Sequence, residues 1–246
     1  MTLKKEKIYF ASDFHLGIPK LDENHKREKR ITKWLTEINK DAKAIYLVGD
    51  IFDFWFEYKK VVPKGFVRIL GKIAELTDNG TQVHLFVGNH DLWMSDYLKK
   101  EIGITIHHEP KIIKEQNKKI FIGHGDGMGK GDYIYKIIKK IFTSKICQWA
   151  FARFHPNFAF FLAHKWSNSS RKNNQARDEK NDILFTYCKE KQKIRPIDYY
   201  ILGHNHNPVQ LKIDKESTYI NLGDWITHNT FAVMEKSKIK LKKYSK

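Results

Sequence analysis

Nine side chains suited to acid–base or metal-ligand chemistry stand in five short clusters, each directly after a run of β-forming residues. They are Asp13 and His15 in Ser12-Asp13-Phe14-His15, Asp50 and Asp53 in Gly49-Asp50-Ile51-Phe52-Asp53, and Asn89 and His90 in Gly88-Asn89-His90-Asp91. His124 in Gly123-His124-Gly125-Asp126 and His204 and His206 in Gly203-His204-Asn205-His206 complete the set. Singly, each has an ordinary explanation: a lone Asp-x-His recurs by chance, and Gly-Asn-His-Asp suits a turn. Together they read as polar groups presented at the carboxyl ends of strands, where open α/β sheets place their ligands. The absence of thiolate excludes a cysteine-rich structural zinc site. Carboxylate, imidazole and amide oxygen suit Mn, Fe or Zn. The donors outnumber what one tetrahedral ion takes, and two ions ~3.5–4 Å apart sharing a carboxylate would use them. Such a pair acidifies water and clamps a phosphoryl group.

The elements that must position these residues follow from apolar patterning. Ile8–Ala11, Ala44–Val48 and Val83–Val87 read as buried strands. Lys26–Asn39 and Gly65–Thr77 read as helices with apolar residues at three-to-four spacing. This β-α-β-α-β order predicts parallel strands joined by right-handed crossovers. Short strands are expected at Ile104–His107, Lys111–Lys114 and Lys119–Ile122. A helical stretch follows to Arg195, then a strand over Asp198–Leu202. Val209–Ile213, Ser217–Asn221, Thr230–Glu235 and Ile239–Lys243 suggest a closing antiparallel meander.

The 246 residues, 41% hydrophobic and 13% aromatic, fit a globular chain with a large core. Cys147 and Cys188 stand far apart, as two free thiols of a reducing compartment would. There is no secretion-signal pattern, and no run approaches ~18 apolar residues, so a cytoplasmic location is expected. The formal charge of +17 bears on partners and not on fold. It leaves nucleic acid, anionic membrane and phosphorylated substrate open, and scattered lysines account for much of it.

In these motifs (Asp13-x-His15, Gly49-Asp50-x-x-Asp53, Gly88-Asn89-His90-Asp91, Gly123-His124 and Gly203-His204-x-His206) the chain resembles the calcineurin-like metallophosphoesterase superfamily. The resemblance implies an α/β fold, a β-sandwich flanked by helices (α/β/β/α). It implies that Asp13, His15 and His206 hold one ion, that Asn89, His124 and His204 hold the other, and that Asp50 bridges them. It implies that His90 is no ligand but stands over the phosphoryl group as electrostatic stabiliser or general acid, oriented by Asp53. Asp91 and Asp126 either support the ligands from behind or are turn residues only.

Residues 1–131 and 196–246 carry the motifs, and 132–195 is expected to be a helical cap inserted between them. Its stretch Ile146–Trp166 is rich in aromatics and broken by Pro156. Two readings stand: a hairpin burying aromatics against itself, or a cap with an apolar face for acyl chains and a basic rim at an anionic membrane surface. The cap's placement and Ser167-Asn168-Ser169-Ser170-Arg171 make the chain similar to the UDP-2,3-diacylglucosamine hydrolases, the lipid A branch of the superfamily. That similarity implies a UDP-linked acylated sugar as substrate and water attack on its α-phosphorus, giving UMP and the acylated sugar 1-phosphate. It also implies manganese, and substrate contacts from Asp132, Tyr135, Asn168 and Arg171. Well-known members carry Arg at the position of His90 and Glu at that of Asp53, so this chain departs from them there. That departure leaves a phosphoesterase of another nucleotide or phosphorylated small molecule as the alternative. Nucleic acid is not expected as a partner, since an aromatic, proline-broken insert makes no extended basic groove. A monomer is the default, and association with the inner face of the cytoplasmic membrane is expected.

Overall fold

The computed structural model describes residues 5–18, 20–129, 133–163, 165 and 183–245. Two sheets face each other. The first has the order β11-β10-β1-β2-β3-β4, with β1 (Lys7–Ala11), β2 (Ala42–Val48), β3 (Gln82–Phe86) and β4 (Thr105–His107) parallel. The second has the order β5-β6-β7-β9-β8. In it β6 (Lys118–Ile122), β7 (Tyr199–Leu202) and β9 (Thr218–Asn221) run parallel, between the antiparallel edges β5 (Lys111–Glu115) and β8 (Val209–Lys212).

Strand alternation sorts the core into three layers. Ile8, Phe10, Ala44, Tyr46, Val48 and Phe86 point from the first sheet toward Ile120, Ile122, Ile201 and Ile220 of the second. Tyr9, Ala11, Ile45, Leu47, Val83 and Leu85 point the other way. There they meet α1 (Leu21–Ile38), through Ile31, Trp34 and Leu35, and α2 (Val67–Asp78), through Ile69, Ile73 and Leu76. The outer face of the second sheet (Phe121, Tyr200, Leu202, Tyr219) is covered by Leu184 and Cys188. The layers are therefore α/β/β/α, as the motifs imply. Cys147 and Cys188 are both free thiols.

The expected closing meander is corrected. β8–β9 is a hairpin of the second sheet, whereas β10 (Thr230–Glu235) and β11 (Lys238–Lys243) lie in the first, with β10 antiparallel to β1. Alternation fits either arrangement for β9, β10 and β11, because each has an apolar side facing the same central layer, whereas Val209 of β8 packs on the outer face. Helix α1 also starts five residues before Lys26. Its first turns bury Asn24, Arg27 and Glu28, which are polar and so invisible to an apolar period.

After the first parallel strands come α3 (Tyr97–Ile102) and, between β6 and β7, α4 (Tyr133–Phe142), α5 (Lys145–Phe151), α6 (156–163) and α7 (Ile183–Ile194). No described helix is long and apolar enough to cross a membrane.

Candidate metal centre and active site

All five clusters lie just past the carboxyl ends of β1, β2, β3, β6 and β7. The chain turns sharply there. Asp13 (φ 55°), His15 (φ 43°), Asp50 (φ 53°), His204 (φ 71°) and His206 (φ 54°) occupy the left-handed region, which non-glycine residues seldom enter. Bonds between the loops hold this geometry. The Asp13 N–H donates to the Gly49 carbonyl at 3.0 Å, that of His15 to the Asp50 carbonyl at 3.0 Å, and that of Gly203 to the His124 carbonyl at 2.8 Å. A Cβ on Gly88 would run into the Asp50 carboxylate, so the loop before Asn89 can approach Asp50 only with glycine there.

The side chains form two adjoining groups. In the first, His15 Nε2 and His206 Nε2 face each other at 3.0 Å, and Asp13 Oδ1 is 3.2 Å from His206 Nε2 and 3.7 Å from His15 Nε2. In the second, His124 Nε2 lies 3.2 Å from Asn89 Oδ1 and 3.1 Å from Asp50 Oδ2, with His204 beside them. Asp50 stands between the groups, since its Oδ2 is also 3.8 Å from His15 Nε2. The opposite nitrogen of His124, Nδ1, donates to the Val48 carbonyl at 2.9 Å, so Nε2 is the nitrogen turned toward Asn89 and Asp50.

This donor set fits divalent metal. Asp13 Oδ1 is buried without a hydrogen-bond partner, an arrangement that costs free energy unless another group completes it. The titration of the site says the same. Burial would raise Asp13 and Asp50, but facing imidazoles, His206 and His124 at Asp13 and His124 and His90 at Asp50, hold both below the usual carboxylate range. Burial would lower His15, yet the facing carboxylates of Asp13, Asp53 and Asp50 bring it up to about 9, and Asp50 and Asp13 also raise His124. Burial and the neighbouring His124 push His204 down to about 4. An ion binding through these imidazoles would displace the protons that the carboxylates favour on His15 and His124.

His90 and Asp53 adjoin this arrangement and make with His15 a third set of ligand atoms close enough to hold an ion. His90 Nδ1 is 3.1 Å from the Asp53 carbonyl and 3.4 Å from Asp53 Oδ1, and its backbone N–H donates to Asp50 Oδ1 at 2.9 Å. Asp53 Oδ1 also lies 3.4 Å from His15 Nδ1, so one carboxylate faces two imidazoles. Burial lowers His90 despite Asp50 and Asp53, and an arriving phosphate would work against that shift. Asp91 does more than cap its own turn. Its two oxygens accept from Gly88 N–H (2.7 Å) and Ile51 N–H (2.8 Å), tying the Asn89 loop to the Asp50 loop. Burial and the Asp50 charge raise its carboxyl to about 7.

The helices α4, α5 and α6 between β6 and β7 are seated on the loops that carry this chemistry. Phe151 packs on Trp93 and Phe56 at ring separations of 4.5 and 4.9 Å, and Phe160 on Phe54 at 5.0 Å. Trp93 Nε1–H donates to the Phe142 carbonyl at 2.6 Å. The aromatics are therefore not buried only against one another; part of the set grips the core, and Ile146, Trp149 and Phe161 remain exposed. Asp126 accepts from the Tyr135 hydroxyl at 2.7 Å and from Lys139 Nζ at 2.6 Å, which ties α4 to the His124 loop. Of the expected substrate contacts, Tyr135 is bonded to Asp126 in the His124 loop, whereas Asp132, Asn168 and Arg171 lie outside the described residues.

Two further residues, Arg27 and Asp224, belong to the site. Buried Arg27 donates to the carbonyls of Phe14 (3.1 Å) and His15 (2.6 Å) and so braces the strained Asp13–His15 turn from α1. Asp224 follows β9 as Leu222-Gly223-Asp224 and faces His206. Its signal was available, because a strand, a glycine and a carboxylate is the same construction as at Asp50.

Comparison with known proteins agrees with this geometry. The calcineurin-like phosphoesterase family model matches residues 6–208. A UDP-2,3-diacylglucosamine hydrolase of Porphyromonas gingivalis is 37% identical over 94% of this chain and 95% of its own length. One from Vibrio parahaemolyticus is 31% identical over 90% of this chain and 91% of its own. With five histidine- and aspartate-rich strand ends meeting at one centre and a family match across most of its length, the chain belongs to the calcineurin-like phosphoesterases, a family of metal-dependent hydrolases.

Proposed function

We propose that the chain hydrolyses the pyrophosphate of UDP-2,3-diacylglucosamine, releasing UMP and 2,3-diacylglucosamine 1-phosphate for lipid A synthesis. The observation that carries this reading is the match to the Porphyromonas gingivalis hydrolase, which extends over 94% of this chain and so includes the cap as well as the motifs.

Asp13, His15 and His206 would hold one divalent ion and Asn89, His124 and His204 the other, with Asp50 shared; manganese suits the oxygen-and-imidazole donors, as do iron and zinc. Such ions supply positive charge for phosphoryl oxygens and acidify water. Water adds to the α-phosphorus, the bond from that phosphorus to the bridging oxygen breaks, and the sugar 1-phosphate leaves. His90, fixed through Nδ1 by Asp53, presents its other nitrogen toward the phosphoryl group, to donate a hydrogen bond or a proton. Asp53 keeps both His15 and His90 from rotating.

The cap, residues 132–195 with 1–131 and 196–246 as the hydrolase core, would receive the acyl chains. Tyr135, Asp132, Asn168 and Arg171 would contact the nucleotide and sugar. Exposed Ile146 (77%), Trp149 (61%) and Phe161 (64%), with Lys140, Lys145 and Arg153 nearby in sequence, suit shallow insertion at an anionic cytoplasmic membrane surface.

His90 and Asp53, where the resemblance implies Arg and Glu, keep a second reading in view: a phosphoesterase of another nucleotide or phosphorylated small molecule. Incubation with Mn²⁺ and UDP-2,3-diacylglucosamine separates the two. Release of UMP with the lipid 1-phosphate is expected. Absence of UMP, together with turnover of bis(p-nitrophenyl) phosphate, would reject the lipid substrate and keep the second reading.

A further inference from the structure

A sixth strand end reaches the centre. β9 lies beside β7 in the second sheet, parallel to it, and ends in Leu222-Gly223-Asp224. The turn that follows is fastened to the Asp13 loop: Trp225 N–H donates to the Asp13 carbonyl at 3.1 Å, and the Ser12 hydroxyl to the Gly223 carbonyl at 3.3 Å. Asp224 is 2% exposed. Its Oδ1 accepts from Thr227 N–H at 2.7 Å and His228 N–H at 3.2 Å, which closes the turn and fixes the carboxylate plane. Its other oxygen, Oδ2, faces two imidazoles: His228 Nδ1 at 3.1 Å and His206 Nδ1 at 3.7 Å. His206 turns its opposite nitrogen, Nε2, toward Asp13 and His15. A carboxylate behind the outer nitrogen of a ligating imidazole fixes which nitrogen carries the proton and makes the inner one a stronger donor.

We infer that Asp224 is a positioning residue for His206: its carboxylate, with Oδ2 3.7 Å from Nδ1, favours the ring proton on Nδ1 by charge and so leaves Nε2 for the ion shared with Asp13 and His15. The inference rests on the metal reading proposed above and adds a residue to it. Asp224→Asn is the informative change. The amide keeps an oxygen for the Thr227 and His228 N–H groups but presents a donor where Oδ2 accepted. An N–H facing Nδ1 favours the tautomer with the proton on Nε2, which cannot bind metal. His228 serves as the control, because it touches the same oxygen from the exposed side and does not face Asp13.

Chelator-stripped wild-type, Asp224→Asn, His228→Ala and His206→Ala proteins are titrated with Mn²⁺ by calorimetry, and their metal-free melting temperatures are recorded. Asp224→Asn is expected to weaken one binding step by about 10- to 100-fold and spare the other, with an unchanged metal-free melting temperature. His228→Ala is expected to leave both steps as they are. Unchanged affinities in Asp224→Asn, in a series where His206→Ala loses one step, overturn the inference alone. So does equal weakening of both steps with a lower metal-free melting temperature, which marks Asp224 as a turn cap only. Wild-type protein that takes up no Mn²⁺, or a His206→Ala protein that keeps both steps, overturns the metal reading and the inference with it.

Discussion

Asp50→Asn is expected to lower kcat/KM for hydrolysis by roughly 10³-fold or more, at least the loss seen when one preorganised electrostatic contact is deleted elsewhere. The expectation follows from where Asp50 stands. Its Oδ1 accepts the His90 backbone N–H, and its Oδ2 faces both His124 and His15, one from each side-chain group. The change is selective. Asn tolerates the left-handed φ of 53° that this position requires, and its oxygen can keep the bond to His90. What disappears is the charge that both groups share. Metal content measured on the same preparation should fall, while circular dichroism stays that of the wild type. Full activity in Asp50→Asn would mean that the carboxylate does not serve two ions.

His90→Gln is expected to cost about 10²- to 10⁴-fold in kcat, the usual range for losing a positioned acid or base, with a much smaller change in KM. An interaction made mainly in the transition state has that signature. His90 lies outside the two ligand groups, is held by Asp53 through Nδ1, and leaves its other nitrogen for substrate. Mn²⁺ affinity of His90→Gln should therefore match the wild type, which distinguishes it from Asp50→Asn. Steady-state kinetics with calorimetry checks both halves. His90→Arg should retain more activity than His90→Gln, because a guanidinium can still donate to the phosphoryl oxygens. A rise in KM at unchanged kcat would assign His90 to ground-state binding instead.

The centre was legible in the sequence because its construction is local. A strand, one or two turn residues and a ligand occupy fewer than ten positions, and five such units recur. Burial on both faces of β1 and β2 makes their apolar runs continuous, so the parallel core is legible too. What was not legible depends on contacts across the chain. Arg27 and Asn24 look like ordinary polar residues ahead of an amphipathic helix, yet they are buried because the Phe14, His15 and Gly17 backbone groups need partners. The destination of β10 and β11 was hidden for another reason. Both sheets offer an apolar inner face, so strand patterning cannot choose between them. Tyr135 was expected at the substrate, and its hydroxyl bond to Asp126 could not be foreseen from a spacing of nine residues across a loop and a helix. The same applies to Trp93, whose place in the sequence gives no hint that it receives the cap.

The most direct measurement of the central claim is hydrolysis of UDP-2,3-diacylglucosamine by the Mn²⁺-loaded protein in ¹⁸O-labelled water, with both products read by mass spectrometry. Water attack on the α-phosphorus predicts one ¹⁸O atom in UMP and none in 2,3-diacylglucosamine 1-phosphate. Label in the sugar phosphate, or no UMP under conditions where another phosphodiester is cleaved, would contradict it.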